Sequence, residues 1–178
     1  MKKYLILYRP FLVFLAKFFL TYAVLSLIYQ GYLSRFDENS VDSITKLVAK
    51  NTEQFFNFFD VDFWVKEVAG VPYMMLLYKT KYMARMIEGC NAISIIILFI
   101  SFVVSFSGKL KPTLLFIFAG SLIVYLLNVI RIGLLCAGLY HFPEQSSLMH
   151  DILFPLFIYG AVFILWVVWV NKFSLYAK

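Results

Sequence analysis

The chain has 178 residues, 62% of them hydrophobic and 20% aromatic, and its mean hydropathy is +0.83. Globular domains run about 45–50% apolar, so a soluble domain of this length could not bury the excess, and the composition predicts an all-α integral membrane protein. The formal charge of +6 does not point to nucleic acid, because the basic residues are scattered and mostly flank apolar runs. Two cysteines far apart, Cys90 and Cys136, argue against a disulfide framework or a zinc site.

The N-terminus, MKKYLILYRPFLVFLAKFFLTYAVLSLIY, has a basic start and an apolar run. The run is too long for the core of a signal peptide, and no small-x-small cleavage site follows, so a retained first membrane helix is expected over about 10–29. Lys17 interrupts it and reads as a side chain snorkelling to the nearer face. Residues 30–88 form the sizeable non-membrane segment. Asn39 and Ser40 are capping candidates, and Val41, Ile44, Leu47 and Val48 follow at helical spacing, which predicts an amphipathic helix over about 40–58. Phe55, Phe56, Phe58 and Phe59 at its end suit a membrane interface. In VPYMMLLYKTKYMARMIEG, two aromatic-rich runs flank Lys79-Thr80-Lys81, the pattern of a short β-hairpin. Further membrane helices are expected over about 91–107, 113–139 and 152–170, the first of these being the shortest. The whole chain, 1–178, reads as a single membrane domain.

Basic residues set the orientation. Lys2, Lys3 and Arg9 precede the first run, Lys109 and Lys111 lie between the second and third, and Lys172 and Lys178 follow the fourth. All ten Asp and Glu fall in 37–88 or in the loop 141–151, which has no Lys or Arg. Four spans with both termini cytoplasmic satisfy the positive-inside rule, with the acidic segments outside.

This topology brings three reactive side chains to one depth. Cys90 stands at the outer entrance of the second helix. Arg131 lies 18 residues after Thr113, roughly 27 Å across a core about 30 Å thick. His150 directly precedes the fourth helix. Taken singly, a lone cysteine is most often a small buried hydrophobe, an arginine near a helix end an anchor, and a loop histidine a solvated group. Together they suit thiol chemistry: a helix N-terminus and a nearby cation favour the thiolate, and a histidine can move the proton. Glu88 works against the thiolate unless it pairs with Arg85 or Arg131. Asn128, three residues before Arg131, shares its helix face and could orient the guanidinium or donate to an oxyanion, or simply tie two helices together. Cys136 reads as packing; a Cys90–Cys136 disulfide would rule out the nucleophile. His141, in YHFPEQ, is the rival histidine.

The ordered pieces EGCNAISIIILF, NVIRI and HDILFPLFIYG resemble the exosortase/archaeosortase family of membrane cysteine transpeptidases over about residues 70–172, and the short chain is most similar to the compact exosortase F-type branch. The resemblance implies Cys90 as nucleophile, Arg131 as electrostatic stabiliser and His150 as acid/base. It implies cleavage, through a cysteine thioester, of a C-terminal sorting signal (a motif, a membrane helix and a basic tail) on exported proteins. The released chain then passes to a surface acceptor, often polysaccharide or lipid-linked. It also implies a bacterial inner membrane location with the site on the periplasmic face, and no metal or other cofactor. Many relatives have Cys-Ser-Gly where this chain has Cys90-Asn91-Ala92, and longer members carry more helices before the cysteine. A non-enzymatic subunit of an export or envelope-assembly system is the alternative.

Overall fold

The structure, a computed structural model, describes residues 8–106 and 108–174. Five helices longer than two turns form its frame: α1 (Arg9–Leu33), α2 (Ser43–Phe58), α3 (Ile93–Ser105), α4 (Leu110–His141) and α5 (Phe154–Lys172). A three-stranded antiparallel sheet, β1 (Phe63–Glu67), β2 (Met74–Tyr78) and β3 (Lys81–Met86), lies between α2 and α3 in the chain. Among the described residues three apolar segments are long enough to cross a membrane: Arg9–Leu33, Leu110–His141 and Pro143–Lys172. The molecule is therefore a mostly helical membrane protein with three candidate spans. Helix α3, equally apolar, has 13 residues and is about 20 Å long, shorter than the hydrocarbon core.

Helices α1, α3, α4 and α5 alternate in direction around an aromatic and β-branched interior, so that α3 and α5 run parallel. Phe99 and Val103 of α3, Val124 of α4, and Val162 and Trp169 of α5 are all buried in one cluster. At one end, the α1 start meets the α3 end, with Phe14 and Phe106 rings 4.8 Å apart. There too the α5 end meets the α3–α4 loop: Trp169 Nε1 donates to the Phe106 carbonyl at 3.3 Å, and Gly108 bridges Ser174. Arg9, Lys109, Lys111 and Lys172 all belong to these helix ends, whereas every acidic residue lies in 37–88 or 144–151. The bundle is thus basic at one end and carries its acids toward the other.

At that other end α2 and the sheet pack onto the C-terminal half of α4. Val48 and Ala49 of α2, Phe63, Leu76 and Met86 of the sheet, and Val129, Ile132 and Cys136 of α4 share one core. Asn51 donates to the Tyr125 hydroxyl at 2.6 Å. A turn above, the Phe56 ring occupies the space where any side chain on Gly133 would stand. Helix α4 is about 48 Å long, so its C-terminal half can serve this cap while its N-terminal half stays within the bundle.

Several local expectations need correction. The amphipathic helix begins at Ser43 and is capped by Asp42, whose Oδ1 accepts from the Ile44 and Thr45 amides at 2.9 Å, rather than by Asn39 or Ser40. Asp42 is buried, so its carboxylate meets those amides with little competition from water. The expected hairpin forms as β2–β3, turning at Lys79 and Thr80, both at positive φ, the geometry of a tight two-residue loop. The chain is not all-α with at most that hairpin, because β1 adds a third strand. Its pattern, Phe63 buried, Trp64 exposed and Val65 half-buried, is a one-sided alternation too short to stand out in the sequence. Residues 143–151, expected as loop, wind with Ile152 and Leu153 into 3₁₀, α and π turns that lead into α5.

Candidate active site

The thiol-bearing turn is built by its neighbours. Met86 ends the sheet, Glu88–Cys90 makes one 3₁₀ turn, and Ala92 reverses the chain at φ +68° before α3 begins. Asn91 is 1% exposed and makes this reversal tenable. Its Oδ1 accepts from the Ile93 amide at 3.0 Å, satisfying an otherwise orphaned donor of α3. Its Nδ2 donates to the Tyr29 hydroxyl of α1 at 2.8 Å and to Thr45 Oγ1 of α2 at 3.1 Å. One amide therefore ties three helices beside the cysteine.

From the other side, Asn128 of α4 is fully buried and donates from Nδ2 to the Cys90 carbonyl at 2.9 Å. Its Oδ1 accepts from Arg131 Nη1 at 3.3 Å. A side-chain amide between a backbone carbonyl and a guanidinium uses both its donor and its acceptor. Arg131 is half-buried, and its Nε has no partner among the described residues. A buried donor without a partner carries a desolvation cost; this Nε is enclosed, so an oxygen reaches it only once the side chains around it move. Cys90, Asn128 and Arg131, 41 positions apart in sequence from first to last, thus form one connected group.

No protein-family model, curated protein or solved structure matches the chain.

His150 stands apart from this group. Its side chain is 63% exposed, and its Nδ1 lies 3.0 Å from Asp151 Oδ1. Among the described residues no hydrogen bond joins it to Cys90, Asn128 or Arg131. Beside it, Met149 is buried against Leu135 and Leu139 of α4, so the turn carrying His150 is anchored one helical turn beyond Arg131. His141, the rival histidine, is also exposed, with its ring 6.3 Å from that of Tyr78 and 5.1 Å from that of Tyr140, and among the described residues no hydrogen bond joins it to Cys90, Asn128 or Arg131. Cys136 is buried in the α2–sheet–α4 core, Cys90 is half-buried, and both are free thiols. Glu88 is exposed and makes no ion pair with Arg85 or Arg131 among the described residues; it lines a separate surface cleft with Asp37, Glu38 and Asp42. Among the described residues no group of three or more His, Cys, Asp or Glu is arranged to hold a metal ion.

Chemically, the arrangement holds a half-exposed thiol at a fixed backbone turn with a permanently charged guanidinium on the same scaffold. Sequence reading singled out all three connected residues. It passed over Asn91 as a structural residue, although an asparagine two positions before an apolar helix is a capping signal. Tyr29 and Thr45 carry no local signal, because their roles exist only once α1 and α2 meet Asn91.

Proposed function

We propose that this chain is a membrane cysteine transpeptidase/endopeptidase of the exosortase type, acting on exported proteins that end in a membrane-spanning sorting signal. The observation that carries the reading is the chain of hydrogen bonds from the Cys90 carbonyl through Asn128 to Arg131. In this reading Cys90 gives its thiol proton to His150, and the resulting thiolate Sγ attacks the carbonyl carbon of the scissile bond. Negative charge moves to the carbonyl oxygen, where Arg131 stabilises it. The C–N bond then breaks, His150 donates a proton to the departing amine, and a thioester remains on Cys90. An acceptor nucleophile, from polysaccharide, a lipid-linked group or water, gives up its proton to His150 and releases the thioester. His150 reaches the site by turning its exposed side chain away from Asp151, a rearrangement in keeping with catalytic contacts that tighten only with substrate bound.

The same proposal fixes the membrane. The chain crosses a bacterial inner membrane four times, with α3 as the short crossing and both termini cytoplasmic, as the basic end of the bundle supports. Asn128 lies 18 residues along α4 from Leu110, about 27 Å, so Cys90 sits at the periplasmic edge of the hydrocarbon. A substrate anchored by its own helix would present its scissile bond at that depth, gaining rate from proximity.

The test is a trapped intermediate. Acid-quenched membranes holding the protein and its substrates should yield a hydroxylamine-labile acyl group on the Cys90 peptide, absent in Cys90→Ser. A stable protein that processes substrates with no such adduct overturns the proposal. The separation of His150 from Arg131 favours a second reading, a non-enzymatic subunit of an export or envelope-assembly system, in which Cys90→Ser would leave function unchanged.

A further inference from the structure

The strand order β1-β2-β3 leaves the sheet two edges, and the fold closes one of them. An edge strand turns alternate N–H and C=O groups away from its neighbour. On β1 two such amides are taken by α2: Phe63 N–H donates to Asn57 Oδ1 at 3.1 Å and Val65 N–H to Glu53 Oε1 at 2.9 Å. Because Val65 faces outward, its register partner Leu76 turns its backbone to Ala84 of β3, and the next residue, Arg85, turns its N–H and C=O off the far edge. Leu77 is turned to Trp64 of β1, so Tyr82 opposite it faces outward as well. Among the described residues no hydrogen bond reaches the Tyr82 or Arg85 amide across this edge. Both side chains are exposed, and Arg85 makes no ion pair among the described residues. Strand β3 also leads to the thiol. It descends along α4, from Lys81, whose Nζ lies 5.4 Å over the Tyr140 ring, to the turn where the Cys90 carbonyl meets Asn128. Tyr140 and Asn128 are about 18 Å apart along α4, and the chain from Met86 to Cys90 spans at most about 14 Å.

We propose that the free edge of β3 binds the substrate segment just ahead of its membrane helix as an added parallel strand, with an Asp or Glu beside Arg85. The proposal rests on the reading of Cys90 as nucleophile. Main-chain bonds to Tyr82 and Arg85 hold the segment, the mode in which an extended peptide extends a sheet. Running down with β3, the segment delivers its next peptide bonds to the cysteine turn and then enters the membrane as a helix. Charge selects the occupant, because an acidic strand pairs with Arg85 and a basic one is repelled. A second copy in the same membrane would bring its own Lys81 and Arg85 to the same depth, and like charges set opposite each other across strands are destabilising.

The experiment uses synthetic single-span probes: an extended segment in which Glu alternates with Val, then a Leu/Ala membrane helix and a Lys tail. A second probe carries Lys in place of each Glu, and a third is the Glu probe N-methylated throughout its extended segment. Each is reconstituted in nanodiscs with the full-length Cys90→Ala chain, which binds without turnover, and amide hydrogen exchange is read by mass spectrometry. The Glu probe should slow exchange in residues 81–86 and leave β1 unchanged. The Lys and N-methylated probes should leave β3 at its free rate. Arg85→Glu should bind the Glu probe about tenfold more weakly and accept the Lys probe, which also shows that the variant is folded. No slowing in 81–86 with the Glu probe overturns the proposal, as does equal slowing with either control probe. Slowing without any probe that grows with protein concentration would give the edge to a second copy and overturn it too. Chemistry is not read here, so an acyl group on Cys90 with no slowing of β3 would sink this inference alone. Slowing of β3 with no acyl group would leave the strand site standing and remove the catalytic reading.

Discussion

Ala92 holds φ +68° with its methyl group buried. A residue with a Cβ pays roughly 1–2 kcal/mol in that region, and a β-branched one more. A glycine at this place would adopt it freely. We expect Ala92→Gly to leave the thermal midpoint little changed, because relief of strain offsets a lost methyl contact and a more flexible unfolded chain. Ala92→Val should lower stability by more than about 2 kcal/mol, read as a fall in the detergent unfolding midpoint. A wild-type midpoint for Ala92→Val would mean that the turn before α3 is not held as described. At Arg131 the expectation concerns rate. If its guanidinium stabilises developing oxyanion charge, Arg131→Gln should lower processing about 10²–10³-fold while the protein accumulates normally in membranes. An unchanged rate would remove Arg131 from the chemistry.

At the scale of elements, the site depends on α2 as much as on the helices that carry its residues. Phe56 fills the notch at Gly133, and Asn51 bonds Tyr125, so α2 lies along α4 on either side of Asn128. Gly133→Leu should force the Phe56 ring out at a cost of about 1–3 kcal/mol and raise protease cleavage within residues 43–58. Resistance equal to the wild type would show that α2 does not depend on this seat. What the sequence made legible follows from the range of each interaction. The apolar runs, the helix after residue 40 and the Lys79–Thr80 turn rest on local periodicity and turn chemistry, and the structure forms them within a few residues of expectation. Cys90, Asn128 and Arg131 stood out because polar groups are rare in apolar helices, and helix rise alone placed them at one depth. The third strand and the Asn91–Tyr29–Thr45 bonds were hidden, because each is decided by a partner far away in sequence, whereas the Asp42 cap is local and was passed over for Asn39 and Ser40, which are equally good capping types. The expected co-location of His150 rested on depth alone, and depth says nothing of which way a side chain turns.

At the scale of the whole molecule, charge and length point the same way. The basic end gathers the α1 start, the α3 end, the α4 start and the α5 end, and the acidic segments lie beyond the other end of α3 and α4. In the proposed orientation a cysteine introduced at Thr80, in the exposed β2–β3 turn, reacts with an impermeant maleimide in intact spheroplasts, and one at Lys109 reacts only after permeabilisation. The background for both is Cys90→Ser/Cys136→Ser. The reverse pattern would invert the protein and put the cysteine turn on the cytoplasmic side. The expected pattern would instead make the cap of α2 and sheet a periplasmic roof over a short third helix, with the thiol meeting its substrate where the lipid ends.

The most direct test of the central claim compares the two thiols. In cells that make exported proteins with C-terminal sorting signals, release of the signal's tail should fall on the order of a thousandfold or more in Cys90→Ala. It should persist in Cys136→Ala, whose thiol lies buried in the core, with both variants inserted at wild-type levels. Tail release that continues in Cys90→Ala would contradict the account.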